Sequence, residues 1–284
     1  MPKIITEDMI EQAAIKALHE RHNYTVLNCM TEEPDTLPDG TGRKDKKQVV
    51  LPDVMLESLC RINPDIPEQT VRTVVDELCH TPVSGDLMLT NYQNYQKIRN
   101  GITVEYNKDG KKTSNILRLL SYNDALSNTF TVASQMWIRG ETHWRRPDLI
   151  IFINGFPLVF IELKNSNIPV KNAYDINLKN YLKDIPYLFN YNQICVLSNG
   201  METRLGSFAA GYEFFFEWLK VENEKENPDR KAIRENCTSL EYFIAGLCEP
   251  KNLLDYIENF ILYDRRRTKI IAKNHQFFGV NNAY

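Results

Sequence analysis

Two apolar runs meet at an Asn-Gly pair near the middle of this chain, and no other feature constrains its fold as much. Leu149-Ile150-Ile151-Phe152-Ile153 precedes Asn154-Gly155, and Phe156-Pro157-Leu158-Val159-Phe160-Ile161 follows it. Asn-Gly between such runs predicts a hairpin. Both runs are apolar at every position rather than every second one, which places them centrally in a sheet covered on each face. Three ionisable residues nonetheless stand at the strand ends: Asp148, Glu162 and Lys164. Glu162 and Lys164, two apart on a strand, point to one face. Asp148 shares that face, opposite Glu162, only if the loop has an odd number of residues. Asn154-Gly155-Phe156, with Gly155 at positive φ, meets that condition. A two-residue Asn-Gly turn puts Asp148 on the wrong face unless a bulge restores the match.

Two carboxylates side by side near a core cost several kcal/mol of desolvation, with mutual repulsion added. A bound Mg²⁺ removes that problem, because it takes oxygen ligands from one or two carboxylates together with water and phosphate. It also lowers the pKa of a bound water, and Lys164 supplies a point charge beside it. This residue set is the minimum for metal-assisted phosphodiester hydrolysis. The competing interpretation is a surface ion pair at two strand ends.

The rest of the chain fits an α/β domain. Its 284 residues, 43% hydrophobic with 13 Phe and 14 Tyr, can bury a sizeable core and exclude disorder as the main state. The apolar runs fall far short of a membrane span, and no basic–apolar–small leader precedes Ile4-Ile5, so a cytoplasmic chain with no membrane partner is expected. With 34 basic and 37 acidic residues, any contact with nucleic acid must rest on local patches. The six cysteines form no C-x-x-C pair and read as small buried hydrophobes; His19 and His22 read as a solvated helix face.

Thr6 caps a predicted helix running to about His22, followed by a short strand at Tyr24–Leu27. The Pro-, Asp-, Gly- and Lys-rich stretch 32–47 predicts a mobile loop, in which Arg43-Lys44-Asp45-Lys46-Lys47 serves solubility. Helices are expected over Leu51–Ile62 and from Pro67 to about Cys79. A hairpin of Ile102–Tyr106 with Ile116–Leu120 and a strand at Phe130–Trp137 come next. Downstream lie a helix at Ala173–Leu182, a strand at Ile194–Ser198 and a charged linker at Glu222–Asp229. Helical patterns then cover Ser239–Leu247, Leu253–Ile261 and Lys269–Ala283. The expected division is 1–220 as one domain and 221–284 as a helical linker. The apolar Phe277-Phe278-Gly279-Val280 without a stop signal suggests a piece of a longer protein.

Pro147-Asp148 with Glu162 and Lys164 resembles the PD-(D/E)xK nuclease core. The wider run from Arg145 to Lys164 resembles one branch of it, the N-terminal region of the R subunit of type I restriction enzymes. Asp184-Ile185-Pro186, Tyr191-Asn192-Gln193, Ser198-Asn199-Gly200, Trp218-Leu219-Lys220 and Lys269-Ile270-Ile271-Ala272-Lys273 extend the similarity. It covers 91–284, with Glu7–Tyr24 a looser match, and implies that residues 30–90, which have no counterpart in it, are an insertion. The resemblance implies a restriction-endonuclease-like core with a mixed central sheet flanked by helices, and Mg²⁺-dependent cleavage of unmodified double-stranded DNA. It implies Asp148 and Glu162 as metal ligands, Lys164 as the catalytic lysine and Glu11 as an additional acid, although Glu11 reads equally well as a solvated helix acid. The family's Q-x-x-x-Y motif falls on Asn177 to Tyr181, where the tyrosine matches and the amide is one methylene shorter.

The resemblance further implies modification and specificity subunits as partners, and an ATP-driven motor beyond these residues. Gln276 then stands where a glutamine reads adenine, but no G-x-x-x-x-G-K-[S/T] is present, so ATP is expected to need the rest of the subunit. Arg139, Arg145 and Arg146 flank the acidic residues as candidate DNA contacts. Arg265-Arg266-Arg267 reads either as a second basic patch or as a solvated helix end. A stand-alone nuclease of repair or of methylated DNA, and a catalytically idle docking module, are the alternatives.

Overall fold

The central hairpin forms as expected, but its geometry arises by the second of the two routes. The computed structural model describes residues 4–80 and 85–283. In chain order it contains α1 (Glu7–His22), β1 (Thr25–Asn28), α2 (Pro52–Ile62), α3 (Glu68–Cys79), α4 (Leu87–Asn100), β2 (Ile102–Lys108), β3 (Lys111–Leu117) and β4 (Phe130–Ser134). Next come β5 (Ile138–Arg139), β6 (Trp144–Arg145), β7 (Leu149–Ile153), β8 (Phe156–Leu163), a π-helical turn (Ala173–Leu178) continuing into α5 (Lys179–Asp184), and β9 (Ile194–Ser198). The chain ends with β10 (Thr203–Gly206), β11 (Phe216–Glu217), α6 (Arg230–Asn236), α7 (Ser239–Gly246), α8 (Pro250–Asn259), β12 (Ile261–Asp264), β13 (Thr268–Ile271) and α9 (Asn274–Asn281).

Seven strands make one sheet in the order β1-β4-β7-β8-β9-β10-β11. β1 with β4 and β8 with β9 are parallel, and the remaining neighbours are antiparallel, so the sheet is mixed. Every residue of β7, β8 and β9 is buried. One face of the sheet packs with Ile10, Ala14 and Leu18 of α1 and with Phe243 and Leu254 of α7 and α8. The other packs with Leu178, Tyr181, Ile185 and Phe189. Continuous burial on two faces is the physical reason these strands lack alternation. At ~25 cal/mol per Å², fully burying one such side chain contributes about 1.5–3 kcal/mol.

The turn between β7 and β8 has two residues, Asn154 at φ 49° and Gly155 at φ 82°, not three. Ile153 pairs with Phe156 and Phe152 with Pro157, but Ile151 pairs with Val159, so Leu158 is an extra residue in β8. That bulge shifts the ladder by one and brings Leu149 opposite Ile161.

Several other expectations are corrected. Residues 32–47 lack regular structure, yet the segment is anchored from within rather than loose. Arg43 and Lys46 are buried, and both reach Asp39 Oδ2, at 2.5 and 2.8 Å. Arg43 also donates to the carbonyls of Gln48 and Trp137. Only Lys44 and Lys47 of that basic run are exposed, so solubility explains half of it. α4 forms where no element was expected; Asp86 caps it and Tyr95 and Ile98 bury its inner face. The β2–β3 hairpin turns at Asp109-Gly110, so its second strand starts and ends earlier than expected. The last helix is shorter than Lys269–Ala283, because Thr268–Ile271 pairs with β12 instead. Arg265, Arg266 and Arg267 lie in that hairpin's turn, exposed, and not at a helix end. His19 and His22 are not simply solvated: their rings bond the carbonyls of Tyr24 and Ile244.

Candidate active site

One end of the β7–β8 pair carries the ionisable residues. Continuing the ladder one step past Leu149–Ile161 sets Asp148 against Glu162. Asp148 is held in place by its Oδ2, which accepts from the Leu163 N–H at 2.7 Å. Lys164 Nζ reaches Glu162 Oε1 at 3.1 Å and Glu7 Oε1 at 3.8 Å. Its backbone N–H donates to Ser198 O, extending the parallel β8–β9 ladder up to the lysine. Thus the sheet's hydrogen bonds fix the backbone of all three residues.

The electrostatics are those of acids kept from water. Burial pushes Glu162 well above the ordinary carboxyl range, Asp148 pushes it further, and Lys164 opposes both. Glu162 Oε2 is buried and has no hydrogen-bond partner among the described residues. Burial raises Asp148 to about 6, against the opposing Leu163 N–H and the Lys164 charge. An orphaned carboxylate oxygen beside a second buried carboxylate suits a bound cation. Among the described residues no three His, Cys, Asp or Glu side chains form a ready-made metal cluster. A cation placed here would find two carboxylates, Asp148 and Glu162, which is as many as a hard divalent ion such as Mg²⁺ commonly takes from a protein.

A cleft of about 330 Å³ opens beside the pair, lined by Glu7, Glu11, Asn28, Gln135, Arg146 and Asp148 among others. Glu11 is not a solvated helix acid: it is only 5% exposed, and burial raises its pKa to about 7. It reaches the cleft because it lies one turn after Glu7 on α1. The start of that helix is tied to the strand end by Glu7 N–H to Asn165 Oδ1 at 2.8 Å and Ile5 N–H to Ser166 Oγ at 3.0 Å. Gln135, which the sequence did not single out, donates through Nε2 to Glu11 Oε2 at 2.5 Å.

The remaining candidates divide. Tyr181 is buried against Phe160, its hydroxyl donating to Arg146 O at 3.1 Å, and Glu162 and Asn177 are its electrostatic neighbours. Asn177 lies in the π-helical turn one turn before Tyr181, so the shortened pair stays within reach of itself. Arg145 is locked to Asp184, and Arg139 to Asp45 at 2.9 Å. Arg146 has no carboxylate partner among the described residues; its guanidinium lies 4.8 Å over the Trp137 ring and lines the cleft. Gln276 is far along the chain on α9, where its Oε1 accepts from the Lys273 N–H and caps the helix.

Comparison with known proteins identifies a family for the chain. Residues 4–214 match the family model for the type I restriction enzyme R protein N terminus. The endonuclease subunit of the HindI type I restriction enzyme of Haemophilus influenzae is 36% identical over 252 residues, covering 85% of this chain and 23% of that subunit. The putative MjaIXP endonuclease subunit of Methanocaldococcus jannaschii is 29% identical over 297 positions, covering 99% of this chain and 28% of that subunit. The chain therefore spans about a quarter of the length of these relatives. With three quarters of its residues inside the family match, the chain belongs to the N-terminal family of type I restriction enzyme R proteins.

Proposed function

We propose that this chain is the Mg²⁺-dependent endonuclease part of a type I restriction R subunit, hydrolysing phosphodiester bonds of unmodified double-stranded DNA in the cytoplasm. The observation that carries the proposal is Asp148 opposed to Glu162 with Lys164 on Glu162 Oε1, Asp148 itself lining a cleft. Asp148 and Glu162 would hold the ion, which supplies a water of lowered pKa and neutralises charge developing on the phosphate. Lys164 orients the attacking water from the Glu162 side and offers its charge to the phosphoryl oxygens. Glu11 accepts a hydrogen bond from water in the cleft. Arg146, stacked on Trp137 and in no close ion pair among the described residues, meets a DNA phosphate. Tyr181, packed on Phe160 with its hydroxyl on Arg146 O, lies close enough to Glu162 to act on its charge.

The 23–28% coverage of its relatives leaves room for a motor outside these residues. We assign to that motor the ATP-driven translocation that precedes cutting, with ATP needed there and not here. Modification and specificity subunits complete the complex in this proposal, and sequence recognition belongs to the latter. Among the described residues no helix is long and apolar enough to cross a membrane.

The test compares wild type with Lys164→Ala in the complete enzyme, supplied with unmodified plasmid, Mg²⁺ and ATP. Strand cleavage should vanish while ATP hydrolysis persists. Equal cutting by both proteins would remove Lys164 from the chemistry and the proposal with it.

A further inference from the structure

Gln135 is the residue of the cleft whose backbone is most constrained. It follows β4 and takes φ 55°, a left-handed conformation that a non-glycine residue seldom adopts. Such conformations are strained and persist where surrounding contacts fix them, which makes them pointers to functional sites. Here two contacts do so. The Gln135 backbone N–H donates to Asp148 O at 3.0 Å, and its side-chain amide donates to Glu11 Oε2 at 2.5 Å. One residue thus grips the main chain of one cleft acid and the side chain of another, joining strand-end Asp148 to helix-borne Glu11 across an interval of 137 residues (148 − 11). Two positions later Trp137 underlies Arg146. An amide suits this place. A lysine would neutralise Glu11, whereas the glutamine fixes the carboxylate and leaves its charge.

We infer that Gln135 is a positioning residue of the nuclease centre, acting through Glu11: its amide holds the Glu11 carboxylate at the wall of the cleft beside Asp148. The inference rests on the proposed nuclease role of that cleft. It makes Gln135 indispensable only while Glu11 is present, which separates it from a residue that merely supports the fold.

The experiment is a double-mutant cycle in the complete enzyme, with Gln135→Met introduced into wild type and into Glu11→Ala. Single-turnover cleavage is followed at saturating DNA and Mg²⁺, with ATP hydrolysis recorded alongside. Gln135→Met should slow cleavage about tenfold in wild type and leave ATP hydrolysis within about twofold. It should cause no further slowing in Glu11→Ala, since nothing is left to hold. A second readout needs neither metal nor DNA: in the full chain the Gln135 side-chain amide resonances should shift on Glu11→Ala. Equal slowing in both backgrounds, wild-type cleavage by Gln135→Met or by Glu11→Ala, or unmoved amide resonances would each overturn the inference. Failure of the nuclease proposal itself is read separately, as cleavage by Lys164→Ala.

Discussion

Asp148 and Glu162 oppose each other one step past the Leu149–Ile161 pair because Leu158 adds one residue to β8. Without that bulge the two-residue turn would send the carboxylates to opposite faces of the sheet. The site is therefore built from the turn outward, and the turn is where it is most open to test.

Gly155 is at φ 82°, and a Cβ there would stand 2.6 Å from Leu51 O and 3.0 Å from Met55 Cβ. Gly155→Ala should lose about 1–3 kcal/mol from backbone strain and contact, visible as a lower urea midpoint. Wild-type stability in this variant would mean that the turn does not pin the register.

Asp148 has a raised pKa of about 6, so its protonated form is favoured in the folded state. The stability this brings is complete below the ordinary carboxyl value of about 4 and is lost as pH rises through about 6. In metal-free buffer at pH 8, Asp148→Asn should accordingly be more stable than wild type by ~1–3 kcal/mol, and the difference should vanish near pH 4. Added Mg²⁺ should narrow the gap at pH 8 by stabilising wild type alone. Parallel urea curves at both pH values would contradict the burial of this acid.

Asp39 is in contact with both Arg43 and Lys46, and their cations hold it below the usual carboxylate range despite burial. Asp39→Ala strands two buried cations and should cost about 3–5 kcal/mol. Chemical denaturation measures this directly. A loss under about 1 kcal/mol would show that water reaches the pair.

Arg146 and Arg139 should behave differently toward DNA. Arg146→Ala in the complete enzyme should weaken binding and lower the salt-dependence slope by about one phosphate contact. Arg139→Ala, already paired with Asp45, should leave the slope unchanged. Equal slopes for the two variants would place the DNA elsewhere.

The centre of this fold was legible because its signal is local. Continuous apolarity over β7 and β8 follows from burial on both faces, and the carboxylate pair follows from parity along the strands. Local signals failed where a long-range contact decided the outcome. The 32–47 segment has loop composition, and its order comes from a buried ion pair that spacing cannot reveal. Thr268–Ile271 has helical neighbours, yet β12 captures it as a strand, and buried Lys269 anchors it to Asn192 O at 2.6 Å. The bulge at Leu158 and the left-handed turn at Gln135 leave no mark in periodicity, since each displaces one residue only. Gln135 in particular is an ordinary polar residue at a strand end until the fold sets it beside Glu11.

The tie between the first helix and the strand end also orders events during synthesis. Ile5 and Glu7 are held by Ser166 and Asn165, residues made about 160 positions later. As the chain emerges from the ribosome, α1 cannot make these two hydrogen bonds until the residues after Lys164 are out. A nascent chain stopped before that point carries Glu11 and Asp148 but has no assembled centre around them.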